Sequence, residues 1–74
     1  NPATKFSFSL ARQSAVNLDI YDARGYLVDT VFAGDLGPGP CDLTWRADGV
    51  ASGVYFGKLT VDGQVSTQKV ILAK

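Results

Sequence analysis

Apolar and polar side chains alternate along the first third of the chain. Between residues 5 and 10, and again between residues 15 and 21, every second position is apolar; these positions are Phe6, Phe8, Leu10, Val16, Leu18 and Ile20. A strand with this alternation buries one face and leaves the other in water, which is typical of an antiparallel sheet. The pattern therefore predicts two half-buried strands.

The next segment, Tyr26 to Phe32, alternates less regularly. Its apolar residues cannot all lie on one face of a regular strand; they are Leu27, Val28, Val31 and Phe32. A β-bulge, or a strand buried on both faces, would reconcile them. The stretch that follows, Gly34 to Pro40, contains three glycines and two prolines and is predicted to be a loop.

Alternation returns in the second half of the chain. Cys41, Leu43 and Trp45 form one predicted inward face, and a loop over residues 46–52 follows them. A strand over residues 53–61 then places Gly57 on the same face as its larger apolar residues, where a glycine leaves room for Trp45 or another bulky ring.

Asp62-Gly63 lies between two strand-like runs. This dipeptide favours a two-residue β-hairpin, because a type I′ turn needs positive φ at both central positions. The last strand is predicted from Gln64 to about Ala73.

Six or seven short strands joined by turns predict an all-β fold. Strands with one apolar face need a second sheet to cover it, so the expected architecture is an antiparallel immunoglobulin-like β-sandwich. A chain of 74 residues has room for one such domain. The expected core consists of Phe6, Phe8, Val16, Leu18, Ile20, Leu43, Trp45 and Leu59.

The beginning of the chain has the character of an internal segment. It has no methionine and opens on Asn1-Pro2, a pair that interrupts regular structure and would mark the entry from a preceding domain. Residues 1–74 are therefore expected to be a single C-terminal module of a larger secreted protein. No apolar stretch near 20 residues is present, so no membrane span is predicted.

Charge is balanced along the chain. Lys plus Arg and Asp plus Glu are each 7, and neither sign forms a run. This distribution argues against nucleic acid or an anionic membrane as a partner.

The residue types needed for catalysis are sparse. The chain has no histidine, every acidic residue is an aspartate, and most aspartates fall in predicted turns. No catalytic, cofactor-binding or metal-binding residues are predicted, and the domain is not expected to be an enzyme, although its parent protein could be a secreted hydrolase. A Ca²⁺ site built from two loop aspartates stays open as an alternative.

Two further side-chain types carry alternatives. Cys41 stands alone, so it is expected to act as a small half-buried hydrophobic residue, with a crosslink or a modification as the other reading. Trp45 and Tyr55 have core-like patterns, whereas Tyr21 and Tyr26 flank a turn and could bind a sugar ring if exposed.

Three short motifs carry a family resemblance. They are IYDARG at residues 20–25, SGVYF at 52–56 and the terminal KVILAK at 69–74. Together they resemble the C-terminal sorting domain of proteins exported by the type IX secretion system. The chain is also similar to the immunoglobulin-like domain of flagellar hook-capping proteins, to which DLTW at 42–45 and RADGVAS at 46–52 are closer.

The resemblance implies a β-sandwich that carries an export signal and is appended to secreted enzymes and adhesins. In that family the domain is removed or exchanged for a surface lipopolysaccharide anchor. The implied signal is the last strand: Lys69, Val70, Ile71, Leu72, Ala73 and Lys74. Three motif residues also have purely structural readings, namely Gly25 in a turn, Gly53 at a strand entry and Tyr55 in the core.

The resemblance also implies partners and a location. The protein would pass through the periplasm to the cell surface or the medium, and would contact outer-membrane secretion machinery. The alternative function is an accessory or interaction domain that braces a neighbouring domain of the same chain or associates with its own copies through an edge strand. Carbohydrate binding is a third possibility.

Overall fold

A computed structural model describes residues 3–73 of the chain. The predicted break at Asn1-Pro2 and the predicted signal residue Lys74 lie outside these residues. The described range contains no helix and six β-strands: β1 (Ala3–Leu10), β2 (Ser14–Asp22), β3 (Leu27–Leu36), β4 (Gly39–Arg46), β5 (Gly53–Val61) and β6 (Gln64–Leu72).

The six strands form two antiparallel sheets. One sheet pairs β1 with β4, and the other has the order β3-β2-β5-β6. The chain passes from one sheet to the other after β1, after β3 and after β4. The predicted all-β sandwich is confirmed.

The predicted loop over residues 34–40 is wrong. β3 continues to Leu36 and β4 begins at Gly39, so two residues remain between the strands. Gly34 pairs with Val16 of β2, and Pro40 pairs with Ser9 of β1. Long-range ladders therefore override the local turn preference of these glycines, and proline is tolerated because β4 lies at a sheet edge.

The predicted irregularity of the third strand is confirmed. The register between β2 and β3 shifts at two places, between Leu18 and Asp19 and between Ile20 and Tyr21. Each shift leaves one residue of β3 without an opposite partner, as in a β-bulge. The extra residues explain why the apolar residues of β3 do not fall at every second position.

The core lies between the two sheets. Its buried side chains come from both sheets and from the β4–β5 loop: Phe6, Leu18, Ile20, Trp45, Ala47, Tyr55, Val70 and Leu72. Trp45 lies at the centre, with its ring edge-to-face against Tyr55 at a centroid distance of 5.5 Å and an interplanar angle of 63°. Its indole Nε1–H donates to Asp29 Oδ2 at 3.1 Å, which ties β3 to β4.

The residues expected in the core differ in how deeply they are buried. Phe6, Val16, Leu18, Ile20 and Trp45 are buried, whereas Phe8, Leu43 and Leu59 are half-buried. Gly57 lies against the ring of Phe6 from the other sheet, and a Cβ atom at position 57 would overlap that ring. The ring that needs the space is therefore that of Phe6.

Candidate functional site at the C-terminal strand

Strand β6 forms one edge of the four-stranded sheet. Its nine residues pair with β5 without a register shift, from Gln64 opposite Val61 to Leu72 opposite Gly53. Among residues 3–73, no strand pairs with the other side of β6. The predicted signal residues Lys69 to Leu72 therefore lie on an open edge, and Ala73 follows the end of the strand.

The β5–β6 hairpin determines which backbone groups of β6 face that edge. Asp62 has φ 47° and Gly63 has φ 85°, as a type I′ turn requires, so the predicted hairpin is confirmed. The Asp62 N–H donates to the Ala15 carbonyl at 2.9 Å, which directs even-numbered residues at this end of β5 towards β2. Odd-numbered residues of β5 then bond to even-numbered residues of β6.

It follows that the odd-numbered residues of β6 direct their N–H and C=O groups away from β5. These residues are Val65, Thr67, Lys69 and Ile71. Their side chains also lie on the outer face of the sheet, because each pairs with an outward-facing residue of β5.

The predicted signal residues divide into an anchored set and a presented set. Val70 and Leu72 are buried, at 5% and 6% exposure, and belong to the core cluster. Lys69, Ile71 and Ala73 are exposed. The buried pair fixes the strand, and the alternating residues are available to a partner.

Two of the predicted motif residues support the anchored set. Gly53 pairs with Leu72, and Tyr55 pairs with Val70. The Tyr55 hydroxyl donates to the Ala51 carbonyl at 2.6 Å, so its buried polar group is satisfied. The SGVYF and KVILAK motifs, which are separate in sequence, are thus neighbouring strands.

The third motif residue, Gly25, lies in the turn between β2 and β3. It has φ 89°, a conformation that glycine adopts without steric cost. The Asp22 carboxylate holds the turn by accepting hydrogen bonds from the Arg24 N–H at 2.9 Å and the Tyr26 N–H at 3.0 Å. This geometry explains the Asp and Gly of the IYDARG motif structurally.

The three motifs also meet on the outer face of the sheet. Tyr21 of β2 pairs with Phe56 of β5, which pairs with Lys69 of β6. We call this line of side chains the motif row. Tyr21 and Phe56 are half-buried and Lys69 is exposed, while the Lys58 ammonium lies 5.7 Å from the centre of the Tyr21 ring. The sequence places these residues far apart and contains no signal that they share a row.

Other candidate chemistry is separate from the motif row. The structure of residues 3–73 shows no group of three or more aspartate or cysteine side chains arranged to hold a metal ion. Cys41 is half-buried, with its thiol 3.6 Å from the Gly39 carbonyl oxygen. In the same range, no helix is long and apolar enough to cross a membrane.

Comparison with protein families shows which family this chain belongs to. The family described as secretion system C-terminal sorting domain matches residues 1–73. The chain belongs to this family. Searches of curated proteins and of solved structures found no match.

Membership of the sorting-domain family defines the role at a coarse level. The sorting domain is a C-terminal signal for type IX secretion, so the protein that carries it is exported to the cell surface or secreted. A sorting signal acts by contacting the secretion machinery and is not itself a catalyst. The match includes the first two motifs in full and residues 69–73 of the third.

Two features of the sorting domain were not found by sequence reasoning. The pattern does not indicate Asp29 as the acceptor for Trp45, and it places Ala47 in a loop, where the structure buries it fully. Spacing along the chain contains no signal for either, since both depend on how the two sheets pack against each other.

Proposed function

We propose that the sorting domain is the C-terminal module of a larger secreted protein, and that the secretion machinery reads the presented residues of β6. The machinery would contact Lys69 and Ile71 from the outer face of the sheet. Val70 and Leu72 would act indirectly by holding the strand in place. After export, the same module would attach the parent protein to the cell surface.

The observation that carries this proposal is the division of β6 between buried and exposed positions. Ile71 is 71% exposed although it lies between two residues below 7%. A large aliphatic side chain gains little for the fold at such a position, because most of its apolar surface stays in water. Lys69, two residues before Ile71, gives the motif row a positive charge at the sheet edge.

A reporter fusion tests the proposal. The 74 residues are fused to the C-terminus of a fluorescent protein that carries an ordinary signal peptide, in a host with a type IX system. The wild-type fusion should reach the cell surface or the medium. The double variant K69A/I71S should stay in the periplasm, because it changes the presented residues and leaves Val70 and Leu72 intact.

A matched control separates recognition from folding. The variant K5A/V28S removes one exposed lysine and one exposed aliphatic residue from other strands. It should be exported like the wild type, and circular dichroism should show that both variants melt near the wild-type temperature. Normal export of K69A/I71S would show that the signal is not read at these residues.

Surface attachment is measured in the same cells. Fractionation separates reporter that remains with the cells from reporter in the medium. A fusion that is exported but recovered entirely in the medium would rule out the attachment role while leaving the sorting role intact.

A second candidate function is supported by the β2–β3 turn. Tyr26 and Leu27 are 64% and 58% exposed, and the Arg24 guanidinium lies 5.1 Å from the centre of the Tyr26 ring. This exposed apolar end would suit contact with a neighbouring domain of the parent chain. In that case Y26S/L27S should lower the melting temperature of the parent protein without changing its destination.

A further inference from the structure

The free edge of β6 carries the features of a strand-pairing surface. The strand is nine residues long, has no register shift and contains one charged residue, Lys69. Val65 and Ile71 are 54% and 71% exposed on it. Long, regular edge strands with apolar side chains pair with further strands unless something protects them.

The other edges of the two sheets have protection that β6 lacks. β3 is interrupted by two register shifts. β4 carries Pro40, which has no N–H to donate. β1 presents Lys5, Ser7 and Ser9 on its outer face, so pairing there would cover no apolar side chain on that face.

We infer that β6 pairs antiparallel with β6 of a second copy of this chain, about a two-fold axis at Gln68. This register uses the whole strand. On the outer face it sets Val65 opposite Ile71 of the second copy, and Thr67 opposite Lys69 of the second copy. Each of these pairs occurs twice because of the symmetry.

The backbone supports the same register. Val65, Thr67, Lys69 and Ile71 direct their N–H and C=O groups to the free edge. In the register centred on Gln68, these four residues face one another and exchange hydrogen bonds in every pair. Gln68 then faces its own counterpart as a non-hydrogen-bonded pair.

Neighbouring registers are less favourable. Side chains keep their faces only when the register moves in steps of two residues, and each such step moves the two-fold axis by one residue. Centring the pair on Lys69 sets two lysines directly opposite each other, which is destabilising. Centring it on Thr67 leaves Ile71 opposite Gly63 of the hairpin and pairs Val65 with Lys69. The register at Gln68 alone avoids both losses and covers both exposed aliphatic side chains.

This inference goes beyond the sorting function and does not rest on it. It is tested on the purified 74-residue chain, so its failure leaves the export experiment unaffected. Analytical ultracentrifugation should show a reversible dimer of twice 7.9 kDa, with a dissociation constant between about 10 μM and 1 mM because the interface is one strand pair. A monomer at 1 mM would overturn the inference and leave a strand of another protein as the occupant.

Charge substitutions at Thr67 test the register. T67E places a carboxylate opposite Lys69 of the second copy and should tighten the dimer about fivefold, whereas T67K should weaken it by a similar factor. Thr44 is the matched control, since it is an exposed threonine opposite Lys5 just as Thr67 is opposite Lys58. T44E and T44K should leave the dissociation constant unchanged. Equal effects at both threonines would contradict the register. So would T67E and T67K changing the dissociation constant in the same direction.

A crosslink tests the position of the two-fold axis. In a C41A background, Q68C should form an intermolecular disulfide readily, because Cα atoms of a non-hydrogen-bonded pair are about 4.5 Å apart. S66C is the control, since it faces Val70 of the second copy and lies about 13 Å from its own counterpart. Crosslinking of S66C at the same rate as Q68C would place the axis elsewhere.

Discussion

The two edges of the four-stranded sheet differ in regularity and in charge. β3 has two register shifts with β2 and carries two aspartates, Asp29 and Asp35. β6 pairs with β5 in one continuous register and carries one lysine. Both strands have one hydrogen-bonded neighbour within residues 3–73.

The difference shows how one sheet can close one edge and keep the other available. Bulges and acidic side chains protect β3 against pairing with a further strand, which is a common form of protection in natural sheets. β6 has neither, yet Val70 and Leu72 hold it firmly against the core. An edge that is fixed but unprotected suits a strand that other molecules read.

Anchoring of β6 should depend on its buried side chains far more than on its exposed ones. Leu72→Ala removes a side chain that is 6% exposed and should lower the free energy of unfolding by about 3 kcal/mol. Ile71→Ala is the neighbouring control and should cost about 0.5 kcal/mol, through strand propensity. Urea unfolding followed by Trp45 fluorescence measures both. Equal losses would mean that Ile71 packs against the domain.

One polar contact adds to the attachment of β3 to the core. Asp29→Ala removes the acceptor of the Trp45 indole N–H and should destabilise the domain by about 1–2 kcal/mol, because the buried donor is left unpaired. Asp29→Asn keeps an oxygen at this position and should lose less than half as much. Asp35→Ala, on the same strand, should change stability little. A large loss in the asparagine variant would indicate that charge, not the hydrogen bond, matters.

Exposed threonines should contribute unequally at the two edges, and by the smallest amount. The Thr30 hydroxyl on β3 donates to Asp19 Oδ1 at 2.9 Å, so Thr30→Val should cost about 0.5 kcal/mol. Thr67→Val on β6 keeps the β-branched shape at an exposed site and should leave the stability unchanged. A thermal melt of the two variants side by side would reveal the contrast, and a larger loss at Thr67 would reverse it.

Part of the candidate site could be predicted from local sequence. The hairpin at Asp62-Gly63 follows from the φ values that a two-residue turn requires, and the last strand follows from the residues after it. The family resemblance rests on the same terminal residues. These features depend on interactions between residues that are close along the chain.

The distribution of burial along β6 could not be predicted in this way. Val65 and Ile71 resemble Val70 and Leu72 in residue type, but the first two are exposed and the second two are buried. The alternation of odd- and even-numbered residues along β6 shows which side chains share a face. It does not show which part of that face the opposite sheet covers, and Gln64 to Gln68 are exposed on both faces.

The sequence by itself determined the alternation of the strands, the hairpin that positions β6 and the family to which the chain belongs, because each depends on residue order over short distances. The tertiary structure decided that residues 34–36 and 39–40 join strands, that Trp45 finds its acceptor on β3, and that Tyr21, Phe56 and Lys69 form one row. These outcomes depend on strand order and register. Both are determined by how two sheets bury a shared core, which no short stretch of the chain contains.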